Sequence, residues 1–211
     1  MFMKGFVKVA SAIPKVKVAD CRYNVVEINR LIQEAATSDV QIVVFPELSI
    51  TGYTCGDLFF QEALQEDALL GMLEIAEHTA HLDIISIVGL PIVIGQQLLN
   101  VAAVIQQGHI LGLIPKSYLP NYKEFYEQRW FVSAFDNLMS EYDIRGEHIP
   151  VGNDLLFSTP EVVFGIEICE DLWAPVPRSS FLAMQGAEII FNLSASNECV
   201  GKHKYLRNLI S

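Results

Sequence analysis

"YNVVEINRLIQEAATSDVQIVVFPE", residues 23–47, changes its hydrophobic period halfway along, and that change decides the fold. The first part spaces Val26, Ile28, Ile32, Ala35 and Ala36 as one face of a helix does, whereas "DVQIVVFPE" closes into a short apolar run of the kind a buried strand carries. Upstream, "FVKVASA" (residues 6–12) alternates like a half-buried strand. Strand, helix, strand is a β-α-β unit, and it puts the chain in the α/β class.

The same reading extends downstream. "DLFFQEALQEDALLGMLEIAEHTAHLD" (57–83) is a long helical region and "IISIVGLPIVI" (84–94) a β-branched strand. "NVAAVIQQGHILGLIPK" (100–116) holds two strands around a turn at Gln107-Gly108. Residues 117–151 are aromatic and charged without a clean period, which suits a long functional loop with short helices. "PEVVFGIEIC" resumes a strand, "SSFLAMQGA" is a helix, "EIIFNLSAS" a strand, and "KHKYLRNLIS" starts a helix that the chain end interrupts. Strands outnumber helices, and there is no internal repeat or interdomain linker, so residues 1–211 read as one domain.

With 211 residues, 51% of them apolar, the chain is long enough to bury a sizeable core. Its net charge is -11 and its 14 basic residues form no dense cluster, which argues against nucleic acid or an anionic membrane as partner. No apolar stretch approaches the roughly 20 residues needed to span a bilayer, and the start lacks a secretory pattern. Cysteines at 21, 55, 169 and 199 form no CxxC pair, so neither a zinc site nor a redox dithiol is indicated and a cytoplasmic location fits. Cys21, Cys55 and Cys199 read as packing residues. His78 and His81 lie three apart on a helix but lack further metal ligands, and a solvated face is the simpler reading.

Three reactive side chains follow apolar strands in the same manner. "IVVFPE" delivers Glu47, "GLIPK" delivers Lys116 and "GIEIC" delivers Cys169. Strand carboxyl ends are where α/β sites assemble, and Pro46 and Pro115 fix the backbone just ahead of two of the three. Cys169 is followed at once by Glu170 and Asp171, whose charge disfavours a thiolate unless a cation stands near. Lys116 is the expected cation: two unit charges about 4 Å apart at an effective dielectric near 20 interact by about 4 kcal/mol, roughly 3 pKa units. Each element alone also has a packing explanation; the recurrence of one pattern with three complementary chemistries is what favours a site.

"FPELSITGY", "PKSYLPNYKEFYEQRWF" and "EICEDLW" resemble the glutamate, lysine and cysteine motifs of the nitrilase, or carbon-nitrogen hydrolase, superfamily. More narrowly, "GYTCGDLF", "LPNYKEFYEQRWF", "CEDLWAPVP" and "NLSASN" resemble the glutaminase domain at the N-terminus of bacterial glutamine-dependent NAD+ synthetases, over essentially the whole chain. The resemblance implies a four-layer α-β-β-α sandwich, cut short at its C-terminus and therefore expected to expose apolar surface and to self-associate or be of modest stability. It implies Cys169 as nucleophile on the amide of L-glutamine, Glu47 as general base and acid, and Lys116 with the Glu170 N–H at the oxyanion. Tyr53, Tyr122, Phe125, Glu127, Glu170 and Ser196 match the residues that hold glutamine, with Glu127 also the additional acid that would steady Lys116.

The implied domain uses no cofactor or metal. ATP and Mg2+ would serve a separate synthetase domain that amidates deamido-NAD+, and the SGGxDS-type loop of such a domain does not occur in these 211 residues. A homo-oligomer is implied as well. Two other readings stay open: a free-standing amidase of different specificity, and a non-catalytic interaction module on the same scaffold, against which the intact Glu47, Lys116 and Cys169 argue.

Overall fold

The first β-α-β unit forms as the period change predicts. In the computed structural model, which describes residues 6–137, 139–197 and 199–209, β1 (Val9–Ser11) and β2 (Ile42–Val44) pair in parallel across α1 (Cys21–Thr37). Asp20 caps α1 by accepting the Tyr23 N–H at 3.1 Å. The helix buries Val25, Ile28 and Ile32. Val26, expected on that face, is 60% exposed, because two adjacent valines cannot both face inward at 100° per residue and Val25 takes the inner place.

After a short 3-10 segment (Tyr53–Phe60) comes α2 (Glu62–His78), which packs beside α1. The strands β3 (Ile85–Ile94), β4 (Gln97–Gln106) and β5 (His109–Pro115) then run antiparallel, completing a sheet of order β1-β2-β3-β4-β5. The β4–β5 turn falls at Gln107 and Gly108, with φ of 48° and 85°, the two positive values that a tight hairpin of this hand requires.

The segment expected to be a loop with short helices holds α3 (Glu127–Trp130) but also a hairpin, β6 (Glu141–Ile144) with β7 (Glu147–Pro150). Next come β8 (Leu156–Ser158), β9 (Val163–Ile168), α4 (Arg178–Met184), β10 (Ile189–Leu193) and α5 (Lys202–Leu209). A second sheet has the order β10-β9-β8, with β9 and β10 parallel.

Strand alternation assigns the layers. In β4, Val101, Ala103 and Ile105 face α1 and α2, while Ala102 and Val104 face the second sheet. There they meet Phe164, Ile166 and Ile168 of β9, with Phe164 stacked on Phe157 at 5.4 Å. On the far side, Leu182 of α4 lies so close to β9 that a Cβ at Gly165 would come within 3.0 Å of it. The result is the α-β-β-α sandwich that the sequence implies. Both sheets send the carboxyl ends of their parallel strands to one edge, where Glu47 follows β2 and Cys169 follows β9.

Among the described residues no helix is long and apolar enough to cross a membrane, and no group of three or more potential ligands is placed to hold a metal ion. His78 and His81 are both exposed. Cys21 and Cys55 are buried as expected, but Cys199 is exposed and so is not a packing residue.

Candidate active site

Glu47 stands where β2 leaves the sheet. Leu48, with φ of 52°, turns the chain back at once, and Ile50 N–H reaches the carbonyl of Gly89 at 3.1 Å. Position 89 must be glycine: a Cβ there would lie 2.4 Å from Leu48 N and 2.8 Å from Pro46 O. The bend is thereby pressed against β3, and the Glu47 side chain is held inward, 2% exposed.

Lys116 follows β5 and is completely buried. Its Nζ donates to Glu47 Oε1 at 2.6 Å and to Glu127 Oε1 at 2.7 Å, so one cation serves two buried carboxylates. Glu47 is fixed further by Asn100 Nδ2 at 2.7 Å and by the Ala195 N–H at 3.2 Å; Glu127 accepts the Tyr53 hydroxyl at 2.7 Å. Burial works to lower the Lys116 pKa, yet the attraction of Glu47 and then of Glu127 raises it well above the usual lysine range, so the ammonium persists. Glu127 moves upward, through burial first and the repulsion of Glu47 second.

Cys169 begins the turn after β9 with φ of 47°, a left-handed conformation uncommon for a side chain of this kind, and Ser194 Oγ lies 3.4 Å from its Sγ. The electrostatics differ from expectation. Burial, and next Glu47, push the Cys169 thiol up to about 12, and the pull of Lys116 does not offset them. Lys116 is engaged by two carboxylates, and its pull on the thiol is outweighed by burial and by Glu47.

Asp171, expected only as an unfavourable neighbouring charge, is a brace. Its buried carboxylate accepts the N–H of Ser117 at 3.0 Å, of Tyr118 at 2.8 Å and of Ile168 at 3.0 Å. It thus ties the residue after Lys116 to the residue before Cys169.

The remaining expected residues divide into two groups. Tyr122, Phe125, Glu170 and Ser196 line, with Cys169 and Trp173, a cleft of about 420 Å³. The Tyr122 hydroxyl reaches both Glu170 oxygens, at 3.1 and 3.0 Å, and Phe125 meets Tyr122 and Tyr53 edge-on at 5.8 and 6.3 Å. Ser196 is exposed and accepts from Lys202 at the start of α5. Glu47, Lys116, Glu127 and Tyr53 form the hydrogen-bonded cluster reached through Ser194 and Ala195.

Three contributors went unread in the sequence: Asn100, Ser194 and the brace Asp171. Asn100 had a signal, a lone amide inside the otherwise apolar run "LLNVAAVI" of a buried strand, where a polar group needs a partner.

Comparison with known proteins places the chain in a family and matches its fold. The model of the carbon-nitrogen hydrolase family matches residues 8–208. A glutamine-dependent NAD(+) synthetase of Mycobacterium leprae is 35% identical over 204 residues, covering 95% of this chain and 30% of that protein. The crystal structure of a glutamine-dependent NAD(+) synthetase from Cytophaga hutchinsonii superposes with a TM-score of 0.85 at 31% identity, covering 97% of this chain and 33% of that one. An amidase from Nesterenkonia sp. shares the fold, with a TM-score of 0.76 at 16% identity over 96% of this chain and 70% of that one. The chain thus spans about 30% of the length of the curated relative.

Proposed function

The chain belongs to the carbon-nitrogen hydrolase family, and on that premise we propose that it hydrolyses the side-chain amide of L-glutamine and supplies the ammonia for NAD+ synthesis. The observation that carries the reading is the buried Lys116 bound to Glu47 and Glu127 at the strand edge that also presents Cys169.

Cys169 Sγ attacks the amide carbon of glutamine as its proton passes to Glu47. A thiol with a raised pKa suits this order, because no unpaired thiolate has to stand in a buried site. Lys116 Nζ and the Glu170 N–H stabilise the oxyanion; Glu47 returns the proton to the amide nitrogen, the C–N bond breaks and ammonia leaves. Water, deprotonated by Glu47, then opens the γ-glutamyl thioester, and the proton returns to sulfur with release of glutamate. Asn100 and the Ala195 N–H keep the Glu47 carboxylate aimed through both halves.

For binding, Glu170 would accept the α-ammonium with Tyr122 as its hydrogen-bond partner. Phe125 and Tyr53 would flank the aliphatic stem, and Ser196 would contact the polar end. Amidation of deamido-NAD+ with ATP and Mg2+ is assigned to the part of the relatives' length that this chain does not cover; nothing in these 211 residues offers a phosphate-binding loop for it. The same reading places the enzyme in the cytoplasm as a homo-oligomer, with residues 1–211 as its amidohydrolase domain.

The test is intact mass after exposure to an electrophilic glutamine analogue, run on this chain and on Cys169→Ala. Labelling confined to the parent chain, blocked by excess glutamine, is expected. A folded chain that takes no label, or one whose labelling glutamine does not slow, would count against glutamine as the substrate.

A further inference from the structure

An exposed ion pair on the 3-10 segment Tyr53–Phe60 has no part in the chemistry above. Asp57 accepts from Arg129 Nε at 2.7 Å and Arg129 Nη2 at 2.8 Å, and from Trp130 Nε1 at 2.9 Å. Its side chain is 60% exposed and that of Arg129 58%. Isolated surface pairs of this kind contribute little to stability. A planar fork on a carboxylate nevertheless fixes orientation, and the third donor fixes it further.

What these groups sit on gives the orientation its meaning. Arg129 and Trp130 lie on α3, a helix of four residues whose first member is Glu127. Asp57 lies four residues after Tyr53, beyond a kink at Gly56 with φ of 60°, and the Tyr53 hydroxyl donates to Glu127. A single turn of helix cannot hold its own shape in water, because nucleation is unfavourable and α3 is too short to recover that cost by propagation. Phe59 packs against Trp130 at 5.7 Å and Phe131 at 5.0 Å, which keeps the two segments together. Apolar contact is non-directional, however, and the bonds at the ends of α3, Glu127 N–H to Pro120 O at 3.1 Å and Val132 N–H to Leu98 O at 2.9 Å, tie it to other parts of the chain and not to Tyr53–Phe60. The same two segments are therefore joined twice by directional bonds: inside by Tyr53 to Glu127, outside by Asp57 to Arg129 and Trp130.

We propose that Asp57 and Arg129 are positioning residues, forming a surface clasp that sets the placement of Glu127 on Lys116 and so controls the reactivity of Cys169. The proposal rests on the roles assigned above to Lys116 and Glu127.

The test compares the parent chain with Asp57→Asn, Arg129→Gln, Arg129→Lys and the double variant Asp57→Asn/Arg129→Gln. Two rates are read: glutamine turnover, and alkylation of Cys169 by iodoacetamide, followed by peptide mass spectrometry with exposed Cys199 as internal control. Expected are melting temperatures within about 2 °C of the parent, as an exposed pair implies. Glutamine kcat should fall on the order of 10-fold, the scale of a sub-ångström misplacement, with KM nearly constant, while Cys169 alkylation should rise severalfold, because a displaced Glu127 neither repels the thiolate nor occupies Lys116, and Cys199 should be unaffected.

The double variant should match the singles, since either change opens one clasp, and Arg129→Lys should not rescue, because charge without the fork is not enough. Unchanged Cys169 alkylation in the variants, losses that multiply in the double, or full rescue by lysine would each overturn the clasp. If the parent fails to turn over glutamine while Cys169 alkylation still responds to the clasp, the substrate assignment falls and the clasp stands.

Discussion

Glu47, Lys116 and Glu127 are at most 2% exposed and joined by contacts of 2.6 and 2.7 Å, whereas across the same strand edge Tyr122 is 50% exposed and Ser196 lies open to solvent. The first group hangs from the ends of β2 and β5 and from α3, with Asn100 and Ala195 behind it; the second hangs from the loop after β5 and from the segment between β10 and α5. A buried charge must be paired by a fixed partner, because removing one member strands the other in a medium that cannot solvate it. An exposed hydroxyl can exchange its partner for water. The buried cluster is therefore fixed in place without any ligand, while the groups at the cleft mouth are free to exchange their partners.

Removing the shared cation should strain that contrast most. Lys116→Met keeps much of the volume but leaves two carboxylates facing each other in the interior. Urea titration should show a loss of about 3–5 kcal/mol near neutral pH, and glutamine turnover should drop by at least about 1000-fold. The stability loss should shrink as pH falls through the carboxylate range, since protonation relieves the repulsion. A variant equally unstable at all pH values would mean that packing, not charge pairing, holds the cluster.

The state of Cys169 gives the next largest effect. Its thiol is pushed up to about 12 by burial and by Glu47. Alkylation of Cys169 by iodoacetamide without substrate should therefore rise roughly 10-fold per pH unit up to about pH 10, without a plateau. The sign follows from linkage: a group whose folded pKa is raised from 9.0 to about 12 stabilises the fold through its thiol form, and that contribution is lost as pH climbs through this range. A plateau near neutral pH would restore the standing thiolate paired with Lys116 that the sequence suggested.

Asn100→Leu should act more gently. It deletes the donor 2.7 Å from Glu47 Oε1 without touching Lys116. A hydrogen bond to a charged group contributes about 1.5–3 kcal/mol, so kcat should fall about 10- to 100-fold with KM little changed. A loss confined to KM would place Asn100 at the substrate instead.

The three strand ends were readable from the sequence because each couples a strong period to a reactive residue at its close, and the Gln107-Gly108 turn because two-residue hairpin loops need such residues. Other features fell below what one-dimensional pattern resolves. Val25 and Val26 are equally apolar, and only packing decides which faces inward. The β6–β7 hairpin, Glu141 to Pro150, is mostly polar and exposed, so alternation hardly marks it; Arg145-Gly146, with φ of 56° and 88°, was its one local signal. The bond from Lys116 to Glu47, 69 residues earlier, depends on a distance between segments far apart in the chain. Exposure of Cys199 depends on how the chain leaves β10, which no local period encodes.

Tyr122→Phe should give the smallest effect, and it sharpens the comparison most finely. The substitution keeps the ring against Phe125 and removes only the hydroxyl shared with both Glu170 oxygens. Burial first, and then that bond to Glu170, push the Tyr122 phenol up to about 12, but the ring is half exposed and water can replace the hydroxyl at Glu170. Steady-state kinetics should therefore show a KM for glutamine raised by about 2- to 5-fold, with kcat nearly unchanged, the scale of a neutral partner lost at a wet carboxylate. A large fall in kcat would mean that the hydroxyl fixes Glu170, and through it the N–H of the same residue that is proposed to meet the oxyanion. The mouth would then share the rigidity of the buried cluster, and the division between fixed chemistry and adaptable binding would fail at this residue.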